Sequence, residues 1–463
     1  MYNQIKNIKM KRDAIDLSTL NVFKLFRKFF IPTLLGMLST SAVTAIDGIF
    51  VGHGIGSDGI AAINICIPIL MFFTGVGLMV GAGSSVVASI HLSHGKIKAA
   101  RINITQAMLF VTLVPLIPIA LMMAYPSATA HLLGASEHLT PLVREYLLSF
   151  APQLMFQMWC SVCLFVIRLD GAPKLAMMCS VTAALISVVL GWLFIFPLGW
   201  GLMGAAFAAT IGLFAGGCMG IVYLFKYANM LRLYPVKWNI KSLRLSKRNL
   251  GYQCRIGSSA LLTEATMAVL IFTGNYVFMK YLGDNGVGAF GIACYYTPFV
   301  FMIGNAIAQS AQPIISYNFG LGYHIRVRQA EQIALLTAIV CGLTVTAVFA
   351  FCPHLLVGLF INSGNPAARL AIDGFPYFAL GFTFFIINLA IIGYFQSVER
   401  VRPATVFAML RGFIFLVPCF LILPEAIGVK GIWAALSVSE LLTTVTAAIM
   451  FTVERRKQRC SNA

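Results

Sequence analysis

Long apolar runs separated by short polar gaps organise this chain from end to end. A helix needs about 20 mostly apolar residues to cross a bilayer. By that measure twelve runs qualify, beginning near residues 29, 60, 103, 140, 174, 202, 252, 286, 329, 368, 403 and 430. The pattern predicts an all-α polytopic membrane protein of twelve transmembrane helices, because in lipid a helix satisfies its own backbone. The longest hydrophilic interval, Lys226–Gln253, divides the runs six and six. The expected organisation is therefore an N-terminal arm (1–28), a first lobe (29–225), a linker (226–253), a second lobe (254–453) and a tail (454–463).

The two halves repeat one another. At a constant offset of 227 residues, Gly56 and Gly59 fall on Gly283 and Gly286, Gly77 on Gly304, Ser89 on Ser316, Gly95 on Gly322 and Arg101 on Arg328. Pro126 falls on Pro353, Pro197 on Pro424, and Gly201 and Gly204 on Gly428 and Gly431. Pro173 and Pro403 need an offset of 230, which marks a small insertion. An even number of spans in each half makes the repeats parallel, related by a pseudo-two-fold along the membrane normal. Transporters built in this way hold cargo near the midplane, between lobes that rock to give alternating access. A channel is the rival reading of the same topology.

Composition agrees: 59% of residues are hydrophobic, 10% charged, and mean hydropathy is +0.87, far too little polar surface for a soluble fold. The net charge of +18 could suggest nucleic acid, but the basic residues lie in the gaps between apolar runs. Of the 33 Lys and Arg, 28 fall on one side of the predicted topology and four on the other, with Arg411 inside a run. That bias puts both termini in the cytoplasm. The expected surroundings are a lipid bilayer, with no nucleic-acid partner. The arm carries Lys6, Lys9, Lys11 and Arg12 together with Asp13 and Asp16, and no cleavable signal peptide is expected there.

Most of the eleven cysteines lie within apolar runs and act as small hydrophobes, the C-x-x-C of Cys160 and Cys163 included. His91 and His94 have an H-x-x-H spacing without a further ligand nearby, and His53 follows the first run; both are expected to be solvated or interfacial. No metal site and no cofactor is expected. The chain contains no G-x-x-x-x-G-K-[ST], so ATP bound in the P-loop manner is excluded as the energy source. An ion gradient remains, worth about 2.3 kcal/mol per charge per 100 mV.

Asp47, in the first run, and Glu264, near the middle of the seventh, are the candidate cation-coupling residues. Neither has a cation within reach on its own helix, and each is flanked by small or hydroxylated residues: Thr44 and Gly48, and Thr263 and Thr266. A carboxylate in such a place holds either a proton or a cationic ligand, and mutual exclusion couples the two. Glu440 is expected to pair with Arg411 as a structural element, and Asp373 lies at the outer interface. The candidate cargo surface is aromatic, thioether-rich and sparsely polar, which suits lipophilic cations. It is assigned to Met155, Phe156, Gln157, Asn275, Tyr296, Gln309 and Asn388, although a single aromatic or Met residue in a span is more often inter-helix packing or lipid contact.

Four blocks carry a resemblance to a known family: Ile46-Asp-Gly-Ile-Phe-Val-Gly-His53, Arg168-Leu-Asp-Gly-Ala-Pro-Lys174, Phe196-Pro-Leu-Gly-Trp-Gly-Leu-Met-Gly-Ala-Ala206 and Gln312-Pro-Ile-Ile-Ser-Tyr-Asn-Phe-Gly320. With the twelve-span repeat, these resemble the multidrug and toxic compound extrusion (MATE) family and its MepA-like branch. The resemblance implies a two-lobed antiporter that expels organic cations and amphipathic drugs as protons or sodium flow inward. It matches the first-helix acid to Asp47, the seventh-helix acid to Glu264 and a structural first-helix hinge to Pro32. One departure stands out. Where the family often reads Asn-x-x-x-Asp in the fifth helix, this chain has Ser187 and Gly191. A lone carboxylate is a poor cage for a hard cation, which favours protons over sodium.

The expected protein is thus a monomeric, proton-driven multidrug efflux antiporter of a bacterial inner membrane, with no enzymatic activity. Asp47 exchanges protons and Glu264 attracts cargo. The alternative is a flippase for lipid-linked precursors, whose anionic cargo calls for several basic residues inside the spans, where only Arg411 qualifies.

Overall fold

The computed structural model describes residues 16–235, 239–360 and 365–461. Most of the N-terminal arm, part of the linker and the last two residues of the tail lie outside the described residues. Among those described, twelve helices are long and apolar enough to cross a membrane. They are α1 (Val22–Gly54), α2 (Ala61–Ser93), α3 (Ile97–Ala124), α4 (Thr140–Leu169), α5 (Pro173–Ile195), α6 (Gly201–Tyr227), α7 (Arg244–Gly283), α8 (Asn285–Gly320), α9 (His324–Phe351), α10 (Pro366–Ser397), α11 (Val401–Ile427) and α12 (Val429–Val453). The chain is an all-α integral membrane protein.

Several helices begin earlier than the apolar runs do: α1 at Val22, α3 at Ile97 and α7 at Arg244. Hydropathy marks the hydrocarbon layer, whereas the helix continues through the polar interface, where basic side chains are at ease. The start of α1 shows how such an end is finished: the Asn21 side chain accepts hydrogen bonds from the Phe23 and Lys24 amides, satisfying donors that have no intrahelical partner.

The repeat is written in the backbone as well. Gly56 (φ 95°, ψ −166°) and its counterpart Gly283 (φ 61°, ψ −156°) make the same sharp turn between consecutive helices. An L side chain is strained in that region, so glycine recurs there. Pro126 and Pro353 each open a short helix, Pro126–Leu132 and Pro353–Gly358, at the position where a missing N–H costs nothing.

By packing, the described chain forms two compact units. The first holds the chain up to Leu261 with Gln309–Ala330 and Ser397–Glu399; the second holds Leu262–Ala308, Glu331–Gln396 and the chain from Arg400 onward. This division cuts α7, α8 and α9 across rather than following the sequence halves. Within the first unit, α2, α4, α5 and α6 close on one another through small residues. Gly77 of α2 lies against Met158 and Ser161, and Gly216 of α6 against Cys179. Cys160 and Cys163 take part in this packing, with Cys160 Sγ 3.3 Å from the Leu213 carbonyl. The start of α7 packs equally closely on α2: a Cβ on Gly83 would run into the Gln253 carbonyl, and one on Gly257 into that of Met79. The second unit is built on aromatic rings instead. Phe278 stacks on Phe290 at 4.6 Å, and Trp433 stands edge-on to Phe278 at 4.8 Å, with Phe375, Phe378 and Phe420 around them.

Candidate functional site

In the first unit Asp47 stands seven residues before the end of α1, about 10 Å from that end at the usual helical rise. Its half-buried carboxylate has no hydrogen-bond or ion-pair partner among the described residues. On α5, Gly191 lies close by: a Cβ there would stand 3.8 Å from Asp47 Oδ1 and 3.5 Å from the Phe50 ring. The position lacking a second acid therefore faces Asp47 directly. Pro32 is buried within the same helix, fifteen residues earlier. His53 is exposed, its Nδ1 2.9 Å from the Ile49 carbonyl.

In the second unit Glu264 is half-buried midway along α7, and it too has no hydrogen-bond or ion-pair partner among the described residues. Thr266 beside it donates to the Leu262 carbonyl at 2.9 Å and packs against Gly412 of α11. Glu440, on α12 of the same unit, is fully committed. Glu440 Oε1 accepts from Arg411 Nε at 2.7 Å, and Oε2 from Asn388 Nδ2 at 2.7 Å. Side-chain exposure is 0% for Arg411 and 1% for Glu440, so the two charges answer only to each other and to these neighbours.

The cargo candidates divide into two groups. Asn388 is bound to Glu440, Gln309 accepts from the Arg168 guanidinium, and the Tyr296 hydroxyl donates to the Leu356 carbonyl at 2.9 Å. Phe156 packs on Trp159 and Phe214, with centroids 5.3 and 5.0 Å away. Met155, Gln157 and Asn275 are half-buried, and neither amide side chain has a hydrogen-bond partner among the described residues. These last three keep their polar or polarisable groups available.

A cluster that composition alone does not reveal lies just past the end of α4. The Asp170 carboxylate accepts from the Tyr223 hydroxyl (2.7 Å) and from the amides of Asn229 (2.7 Å), Met230 (2.8 Å) and Leu231 (2.9 Å). Burial pushes its carboxyl above the ordinary carboxylate range, and these donors pull against that shift. Arg101 Nε adds a bond to the Met230 carbonyl at 2.7 Å, fastening the segment after α6 to α3 and α4. Asp170 belongs to the Arg168–Lys174 block, so a signal was present, but nothing in one sequence says which backbone it will hold. Nearby, Ser316 donates to Ser89, its own repeat counterpart, at 2.8 Å. Gln312 donates to the Ala82 carbonyl at 3.0 Å.

Twelve apolar helices in two repeating halves, with two carboxylates inside them that have no hydrogen-bond or ion-pair partner among the described residues, point to a secondary transporter rather than a receptor or a structural bundle. The MatE family model matches twice, at residues 32–193 and 260–421, together more than half of the sequence. This chain belongs to the MatE family. It is 24% identical to the multidrug export protein MepA of Staphylococcus aureus (strain MSSA476) over 442 residues, 93% of each chain. A solved multidrug resistance MATE family transporter of the MOP superfamily, in an outward-facing conformation, superposes with a TM-score of 0.87 at 19% identity, covering 96% of this chain and 98% of that one. A MOP superfamily transporter from Pyrococcus furiosus, described as having a binding pocket of reverse polarity that suggests a different function, gives the same TM-score at 18% identity, with the same coverage.

Proposed function

We propose that this chain is a proton-coupled multidrug efflux antiporter of the MepA-like branch. It exports organic cations and amphipathic drugs as protons enter, by alternating access of its two lobes. It acts as a monomer in the inner membrane of a bacterium, with both termini cytoplasmic, and carries out transport without a catalytic step. The observation that carries this reading is the lone Asp47 carboxylate facing Gly191. One carboxylate that faces a glycine where a second acid could stand, with no hydrogen-bond or ion-pair partner among the described residues, suits a proton better than sodium. Glu264, midway along α7 and without a hydrogen-bond or ion-pair partner among the described residues, supplies the negative charge that a lipophilic cation seeks. Gln157, Asn275 and Met155 supply adaptable contacts.

Uptake of a fluorescent drug cation into inverted vesicles, with pH and sodium gradients imposed separately, tests the reading. Uptake should follow the pH gradient and ignore sodium. Glu264→Gln should abolish it while the protein is still inserted at the normal level. Uptake driven by sodium alone would exclude proton coupling, and undiminished uptake by Glu264→Gln would remove that residue from the mechanism.

A further inference from the structure

Arg411 is wholly buried in a π-helical turn of α11, Leu410–Ile414. Such turns place one extra residue in a helix and recur where a side chain must be aimed. The Nε–H donates to Glu440, the guanidinium carbon lies 3.9 Å from the Phe385 ring centroid, and the two terminal nitrogens have no hydrogen-bond partner among the described residues. An arginine that serves to bind helices together uses its fork, with two parallel N–H groups on one carboxylate. This one spends a single donor on the carboxylate and rests its charge on an aromatic face. Its main contribution to the cluster is therefore a positive charge.

The oxygens around that charge come from α10 and α12. Glu440 Oε1 meets the guanidinium directly; linked to the same residue through Asn388 are Glu440 Oε2 and the Glu440 carbonyl, which accept from Asn388 Nδ2 at 2.7 and 2.9 Å, the Asn388 Oδ1 atom, and the Thr444 hydroxyl, which donates to Oδ1 at 3.0 Å. One carboxylate with neutral carbonyl and hydroxyl oxygens is the ligand chemistry of a hard monovalent cation. The amide needs only to turn over to present its oxygen toward Glu440. We propose that Arg411 is a resident cation: its guanidinium takes the place in which an alkali ion would neutralise Glu440, excludes sodium from this cluster, and so restricts which ion can drive transport. The proposal rests on the reading that an inward cation drives export. Its test measures ion binding alone, so failure of proton-driven export in vesicles leaves it unaffected.

The experiment is thermal unfolding of the full chain in detergent, in sodium chloride and in choline chloride at matched ionic strength. The wild-type midpoint should be the same in both salts. Arg411→Met should acquire a sodium-specific rise that saturates with concentration, and adding Glu440→Gln to that variant should remove it. Arg411→Lys, which keeps the charge, should respond as the wild type does. A saturable sodium response in the wild type that Glu440→Gln abolishes would overturn the proposal, as would an Arg411→Met variant indifferent to sodium. Arg411→Gln is the second variant. Failure of both neutral variants to fold in sodium as well as in choline also contradicts the proposal, because an alkali ion in the cluster would restore a neutral pair.

Discussion

Asp47 and Glu440 are both carboxylates set in apolar helices, and their surroundings could hardly differ more. Glu440 is sealed against Arg411 and Asn388. Asp47 is half-buried with no hydrogen-bond or ion-pair partner among the described residues, and across from it the chain has a glycine. A buried acid with its own cation is already neutral and has nothing to exchange. An acid without one must take its counter-charge from outside, as a proton or as cargo. The same residue chemistry thus serves structure at Glu440 and leaves a carboxylate free for the proposed exchange at Asp47, and the neighbour decides which.

The sharpest way to break this comparison is to neutralise both acids identically. Glu440→Gln strands the Arg411 charge in the interior and should cost about 3–5 kcal/mol of stability, read as a large fall in the unfolding midpoint in detergent. Asp47→Asn removes no partnered group and should change stability by no more than about 0.5 kcal/mol. Equal losses in the two variants would mean that Asp47 has a structural partner after all. A smaller effect is expected from Gly191→Asp. The added Cβ meets its neighbours at ordinary contact distance, so the protein should fold, and the second carboxylate should make vesicle uptake partly responsive to sodium. Uptake that stays indifferent to sodium would show that ion choice is not set at this contact.

The fold was almost wholly legible, because period, length and punctuation are sequence properties. The glycines of the 227-residue offset reappear at matching turns, Gly56 with Gly283 and Gly201 with Gly428, all with positive φ. The packing division was not legible. That α7 and α8 each pass from one unit to the other depends on close contacts such as Gly83 on Gln253, which no spacing rule predicts. Among site residues, the pairing of Arg411 with Glu440 could be guessed from two opposite charges on consecutive helices. The commitments of Gln309 to Arg168 and of Asn388 to Glu440 could not. An amide in a span looks available for cargo until its partner, 141 or 52 residues away, is placed beside it.

If Asp47 exchanges a proton against cationic cargo, binding of that cargo should expel the proton into solution. Purified protein in weakly buffered detergent solution, titrated with a drug cation in the presence of a pH indicator, should release protons as the cation binds. Asp47→Asn should bind the cation and release none. Proton release from the variant equal to that of the wild type would contradict the account and move the coupling site elsewhere.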